Sequence, residues 1–243
     1  MRERIGRSKG KWLTLALALG ATVPLLVAAA APAEAEEADV TIIQKEKPQF
    51  PLALQRQGVG TGNVRLMLEV SAKGELTDCL VTAFTRKEFA AATLKAVNTW
   101  RFTPARIAGR PVAAAVPLTV IFQTNGVLAV VKQTEQLDRH DTHFDYEPCP
   151  ARELDEQPKA LTQVPPLYPP ELRSRGVGGR VTLDFYIDET GRVRFPVARE
   201  PADPQLAGLA IAALKVWFFE PPRRQGVPVL ARASTSFAFD PQQ

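Results

Sequence analysis

Side chains with catalytic or metal-binding chemistry are scarce in this chain. Of 243 residues two are histidine, His140 and His143, and two are cysteine, Cys79 and Cys149. A zinc-type centre needs three or four ligands on an ordered scaffold. Two imidazoles three apart in the polar stretch 138–145 fall short of that, so no metal and no other cofactor is expected. No motif brings a nucleophile, a base and an orienting group together, so neither an enzymatic activity nor a small-molecule substrate is expected. Excess charge is scarce as well. The formal net charge is +4, of which residues 1–35 supply +3, leaving +1 on the rest. A nucleic-acid footprint needs Lys and Arg clustered on one face, and this chain offers none.

A long uncharged run spans 12–32, behind the basic start Arg2, Arg4, Arg7, Lys9 and Lys11. Ala33 and Ala35 flank Glu34 at the spacing a signal peptidase reads. A membrane span needs about 20 apolar residues, but this run leans on weakly apolar alanine and holds Pro24 near its middle. Residues 1–35 are therefore expected to be a signal peptide cleaved after Ala35, with an uncleaved membrane anchor as the alternative. Either way, the remainder lies outside the cytoplasm.

What the chain does have is a repeat with a spacing of 117 residues. Adding that number turns Gly62, Val64 and Leu66 into Gly179, Val181 and Leu183. It turns Gly74 into Gly191, Trp100 into Trp217, Phe102 into Phe219, Pro104 into Pro221 and Phe122 into Phe239. The aromatic-proline pairs Phe50-Pro51 and Tyr168-Pro169 lie one residue out of this register. The chain is thus two copies of one small domain, expected over 46–122 and 164–239, with a linker over 123–163.

Each copy reads the same way. Proline at the start suits the first turn of a helix, and Gly176 suits its left-handed end. Val64, Leu66, Leu68 and Val70, then Val181, Leu183, Phe185 and Ile187, alternate with mostly polar residues, as in a strand with one buried face. Turns with glycine follow at Gly74 and Gly191, then a second strand from Leu76 and from Val193. Ala90, Leu94, Val97 and Trp100, like Ala207, Ile211, Leu214 and Trp217, share one helix face. A last alternating strand closes each copy. The order predicts an α+β fold of two tandem domains, each a three-stranded antiparallel sheet with two helices on one face.

The Tyr-Pro start, the Gly-x-Val strand, the turn glycine, Trp-Arg-Phe-x-Pro at 100–104 and Gly109-x-Pro111-Val112 come in a fixed order. Together they resemble the TonB C-terminal domain family. The second copy departs at Phe218, where the family has a basic residue. The resemblance implies a periplasmic module that captures an extended peptide of an outer-membrane transporter, or of another envelope protein, by adding it as a strand to its last β-strand. The family's transducers carry an uncleaved anchor, a long proline-rich spacer and a histidine in the apolar segment. Here residues 36–47 reach only about 40 Å fully extended, and 12–32 holds no histidine. A periplasmic adaptor is therefore the first expectation. The alternatives are a single-pass inner-membrane energy transducer with an inner-membrane partner, and a structural repeat protein with no role in transport.

Three residue-level expectations follow. A Cys79–Cys149 bridge would close a 70-residue loop and contribute about 4 kcal/mol. Yet Cys79 alternates with Val81 and Ala83 on the expected core face, so a bridge and two free thiols are equal alternatives. Trp100, Phe102, Trp217 and Phe219 are expected in the cores, with Trp217→Ala costing about 3–5 kcal/mol. The last strands differ between the copies. Pro117 interrupts the first, whose outward set Ala113, Ala115, Thr119 and Ile121 suggests a cover. The second runs through Val229, Leu230, Ala231, Arg232, Ala233, Ser234, Thr235, Ser236 and Phe237 without proline, and is the expected peptide-binding edge. The first copy is then a spacer, or docks on its sibling.

Overall fold

The computed structural model describes residues 38–124, 129–132, 143–199 and 202–242; the leader with Ala33 and Ala35, and His140, lie outside them. The first copy runs β1 (Thr41–Gln44), α1 (Leu52–Arg56), β2 (Thr61–Val70), β3 (Leu76–Phe84), α2 (Lys87–Val97), β4 (Arg101–Thr103), β5 (Ala105–Ile107), β6 (Arg110–Val112) and β7 (Ala114–Gln123). The middle segment forms β8 (Ala129–Lys132), a 3-10 turn (Ala151–Glu153) and β9 (Ala160–Thr162). The second copy continues with α3 (Pro170–Ser174), β10 (Gly179–Ile187), β11 (Val193–Ala198), α4 (Pro204–Leu214), β12 (Phe218–Phe219), β13 (Arg223–Arg224), β14 (Val227–Pro228) and β15 (Ala231–Phe239).

Alternation sets the central strands. Val64, Leu66, Leu68 and Val70 of β2 are buried together with Leu54 of α1 and with Phe89, Ala90 and Val97 of α2. Val181, Leu183, Phe185 and Ile187 of β10 do the same beneath Leu172 of α3 and Leu206, Ala210 and Leu214 of α4. The second copy has a three-stranded sheet, β11-β10-β15. The first departs from the expected layout. Its sheet is β3-β2-β7-β8, because a piece of the presumed linker folds back onto β7. Short ribbons β1-β4, β9-β12, β5-β6 and β13-β14 complete the fold. Strands of two to four residues carry too little alternation to be read from sequence.

One glycine pair fixes both hairpins. Gly74 and Gly191 sit at φ 79° and 89°, where other residues are strained. A Cβ on either would also overlap a carbonyl oxygen, that of Phe102 or Phe219. Gly226 has a similar φ, 77°, but open space around it. Gly191→Ala is therefore expected to destabilise by about 2–3 kcal/mol, and Gly226→Ala by about 1 kcal/mol. Urea unfolding of the two variants checks the order; equal losses would mean that the Phe219 carbonyl yields freely.

The copies pack on each other. Met67 and Leu80, from the outward face of the first sheet, join Tyr186, Phe195 and Leu230 of the second copy, with Tyr146 from the middle segment. Ion pairs frame this apolar patch. Lys215 reaches Glu69 at 2.7 Å, and Arg194 bonds both Asp78 and, at 3.3 Å, Asp188. Tyr146 stacks on Phe84 and its hydroxyl donates to Glu189. Burial raises the Asp188 pKa, but bonds from Thr190, the Arg192 N–H and Arg194 outweigh it and hold the carboxyl below its ordinary 3.8.

A carboxyl depressed in the folded state adds stability above its unfolded pKa and loses it as pH falls through the folded one. The contribution of Asp188 to thermal stability is thus expected to be present and independent of pH near neutrality, and to be lost below about pH 3.8. Asp188→Asn should lower the melting temperature at pH 7 and flatten the acid limb. An unchanged acid limb would refute the role given to this carboxylate.

Candidate functional site

Equivalent strands end differently in the two copies. In the first, β8 runs antiparallel to β7, with Leu118 opposite Lys132 and Ile121 opposite Ala129. The same positions in the second copy are Thr235 to Ala238 of β15. Among the described residues β15 pairs along its length with β10 alone.

Only the start of the outer β15 edge is taken. The Cys149 N–H donates to the Leu230 carbonyl at 2.7 Å, in a parallel bridge with Ala231. Leu230 thus aims its carbonyl away from β10. By the period-two alternation of a strand, Arg232, Ser234, Ser236 and Ala238 also present their N–H and C=O groups outward. This corrects the expected edge at one end. Val229 and Leu230 are not in the strand: the Val229 N–H bonds the Pro222 carbonyl at 2.9 Å, and Leu230 is fully buried between the copies. Ala231 is buried too, and its parallel bridge with Cys149 also turns the Arg232 N–H to the Cys149 carbonyl, so among the described residues the free edge begins past Arg232, at Ser234. Ala233, Thr235 and Phe237 turn their peptide groups to β10, opposite Phe185, Leu183 and Val181.

Alongside Arg232 to Thr235 lies a groove of about 530 Å3, walled by Gln157, Pro158 and Gln163 and lined by Phe185, Trp217 and Phe219. Its wall is anchored by Asp155, whose carboxylate accepts the N–H groups of Gln225 and Gly226 at 2.7 and 2.8 Å. The Gly226 and Gln225 N–H groups hold that carboxyl below its usual range. At the near end, Asp184 is bonded by Arg199 at 2.7 Å and lies 3.7 Å from Arg232. An apolar floor, a polar rim and a row of free peptide groups suit an extended chain.

Trp100, Phe102 and Phe219 are buried, but Trp217 is only half-buried, which corrects its placement in the core. The indole N–H groups do equivalent jobs: Trp100 donates to the Glu46 carbonyl and Trp217 to that of Val164, both at 2.8 Å. The difference is that the groove opens onto Trp217, which packs against Phe219 and Phe237.

The disulfide is not formed; both cysteines are free. Cys79 packs against the first core, while Cys149 is drawn to Leu230 of the second copy. Burial, then Asp78, push the Cys79 thiol up to about 11, partly offset by Arg194, so it stays protonated at neutral pH. His143 is exposed, and among the described residues no three His, Cys, Asp or Glu gather as metal ligands would.

Sequence reasoning missed Asp155, Gln157 and Gln163, and it considered Cys149 only as a disulfide partner; all four lie in the expected linker. The sequence carries no signal for them: residues 160–164 take the place of 42–46 at a spacing of 118 without one shared residue, and the upstream extension of the repeat shows only in pairing, Ala160 with Phe219 as Ile42 with Phe102.

No curated protein matches the chain. A solved structure described as the Pseudomonas aeruginosa TonB CTD, determined in solution by NMR, is 32% identical, covering 35% of this chain and 88% of that one, with a TM-score of 0.31. The family described as Gram-negative bacterial TonB protein C-terminal matches twice, over residues 46–124 and 164–241. With both of its copies matched, and more than half its length covered, the chain belongs to the TonB C-terminal family, whose domains are protein-interaction modules of TonB-dependent transport.

Proposed function

We propose that this protein is a periplasmic adaptor without catalytic turnover, whose second copy captures an extended peptide of an outer-membrane transporter or another envelope protein along β15. The observation that carries this reading is that, among the described residues, no strand covers the outer edge from Ser234 to Ala238, which lies beside a groove floored by Trp217 and Phe219. Natural sheets normally guard such edges. The first copy supports the same mode, since its equivalent strand already holds a partner strand.

The test is an NMR titration with a synthetic peptide from the periplasmic end of such a transporter. Amide protons of Ser234, Ser236 and Ala238 are expected to gain exchange protection, with little change at Arg232, which already faces Cys149, or at Thr235 and Phe237, which already face β10. Protection appearing only elsewhere, or no binding at millimolar peptide, would overturn the assignment.

The uncharged run over 12–32 favours a second reading, an inner-membrane transducer that keeps its leader. Among the described residues no helix is long and apolar enough to cross a membrane. N-terminal sequencing of protein from its native envelope separates the two: a start near Glu36 supports the adaptor, and an intact leader the transducer.

A further inference from the structure

We infer that the β5–β6 hairpin of the first copy is a carboxylate-binding site, which takes an aspartate from an acidic segment of another protein. The second copy shows the same site filled. Its β13–β14 hairpin turns at Gln225 and Gly226, and the two N–H groups of that turn donate to Asp155, at 2.7 Å to one carboxylate oxygen and 2.8 Å to the other. Successive N–H groups in a tight turn make a concavity suited to an anion.

The first copy repeats this hairpin 117 residues earlier, with its turn at Ala108 and Gly109. Ile107 pairs with Arg110 as Arg224 pairs with Val227. The φ angles are 50° and 74° at Ala108 and Gly109, against 52° and 77° at Gln225 and Gly226. Arg106 donates to the Gly109 carbonyl at 2.7 Å, as Arg223 does to that of Gly226 at 2.6 Å. The incoming backbone is the same too: the Ala38 N–H bonds the Arg106 carbonyl at 3.0 Å, and the Asp155 N–H bonds that of Arg223 at 2.8 Å. Only the carboxylate differs. Ala38 stands where Asp155 stands, and a methyl group accepts no hydrogen bond. Among the described residues nothing accepts from the Ala108 or Gly109 N–H, and no carboxylate pairs with Arg110.

The occupant of the second turn defines the ligand. Asp155 arrives in the acidic run Glu153-Leu154-Asp155-Glu156, and Glu153 pairs with Arg224 at 3.1 Å. In the first copy the flanking cation lies across the hairpin, since Ile107 takes the place of Arg224 and Arg110 that of Val227. Arg106 and Arg110 are exposed, and over residues 38–124 basic side chains outnumber acidic ones 11 to 6, which draws in an acidic partner. The ligand is an acidic segment with an aspartate for the turn and a second carboxylate for Arg110.

The probe is an N-acetylated peptide Glu-Leu-Asp-Glu-Gln, titrated into the whole protein at low salt and followed by NMR. The Ala108 and Gly109 amide resonances are expected to move and saturate, while those of Gln225 and Gly226, already bonded to Asp155, stay in place. Asparagine in place of the probe's aspartate should weaken binding about tenfold, because a charged acceptor makes a hydrogen bond roughly twice as strong. Arg110→Gln should weaken it about two- to fivefold, the worth of an exposed ion pair. Ala38→Asp should supply the carboxylate from within the chain and abolish the response. Asp155→Ala should make Gln225 and Gly226 respond as Ala108 and Gly109 do.

An asparagine probe that binds as well as the aspartate one, or shifts confined to residues outside the turn, would overturn the inference. So would full binding to the Ala38→Asp protein, or silence of Gln225 and Gly226 in Asp155→Ala. Ala108 and Gly109 amides as protected from exchange in the free protein as those of Gln225 and Gly226 would mean that the chain's own acidic residues fill the turn, which also overturns it. None of these readings involves β15, so the proposal for the second copy stands or falls separately.

Discussion

Trp100→Ala is expected to cost the fold about 3–5 kcal/mol, and Trp217→Ala only about 1–2 kcal/mol. Both tryptophans follow the same helix in the repeat and make the same indole hydrogen bond, so sequence alone assigns them equal weight. Trp100 is 1% exposed, and truncating it leaves a cavity ringed by first-copy core residues. Trp217 has one side open to the groove, so its loss removes contacts with Phe219 and Phe237 without creating an enclosed void. Urea unfolding of the two single variants measures the difference. Peptide affinity gives an independent reading: Trp217→Ala should weaken binding, because the indole floors the groove, while Trp100→Ala should leave it nearly unchanged wherever the protein stays folded. Equal stability losses would return Trp217 to the core and take it out of the site.

That contrast shows where the sequence was legible. Periodicity reports which residues share a face, so β2, β10 and β15 could be read from alternation and the paired hairpins from Gly74 and Gly191. It does not report what covers the face. Trp217 has the spacing of Trp100 but not its cover. The choice between a bridge and two free thiols stayed open for a related reason: loop length describes the unfolded chain, whereas pairing needs both sulfurs on one side, and Cys79 and Cys149 pack in different places. The segment 123–163 was hardest to read. Its strands have three or four residues, and the contact that takes the start of the β15 edge is a backbone bond, Cys149 to Leu230, which any residue except proline can donate. The free edge was therefore legible in type, a proline-free alternating strand, but not in extent, since the chain segment that takes its first two positions has no side-chain signature.

Ser234→Pro is expected to reduce peptide binding by about 30- to 700-fold while leaving the fold largely intact. Ser234 lies mid-strand, opposite Asp184, with its peptide group facing away from β10. Proline there removes an outward N–H, a loss of about 1 kcal/mol, and leaves the carbonyl of the incoming peptide unsatisfied at a further cost of about 1–3 kcal/mol. Each 1.4 kcal/mol is a factor of ten in affinity, which gives the range stated. The ladder between β10 and β15 loses nothing, because Ser234 donates no bond to it. Thr235→Pro is the control. Its N–H faces β10 opposite Leu183, so this change should break the sheet itself and lower stability as well as binding. Calorimetric titration with the transporter peptide, paired with thermal unfolding, reads both effects. Ser234→Pro with wild-type stability and lost binding places the ligand on β15; wild-type affinity in that variant would mean that the peptide docks elsewhere on the protein.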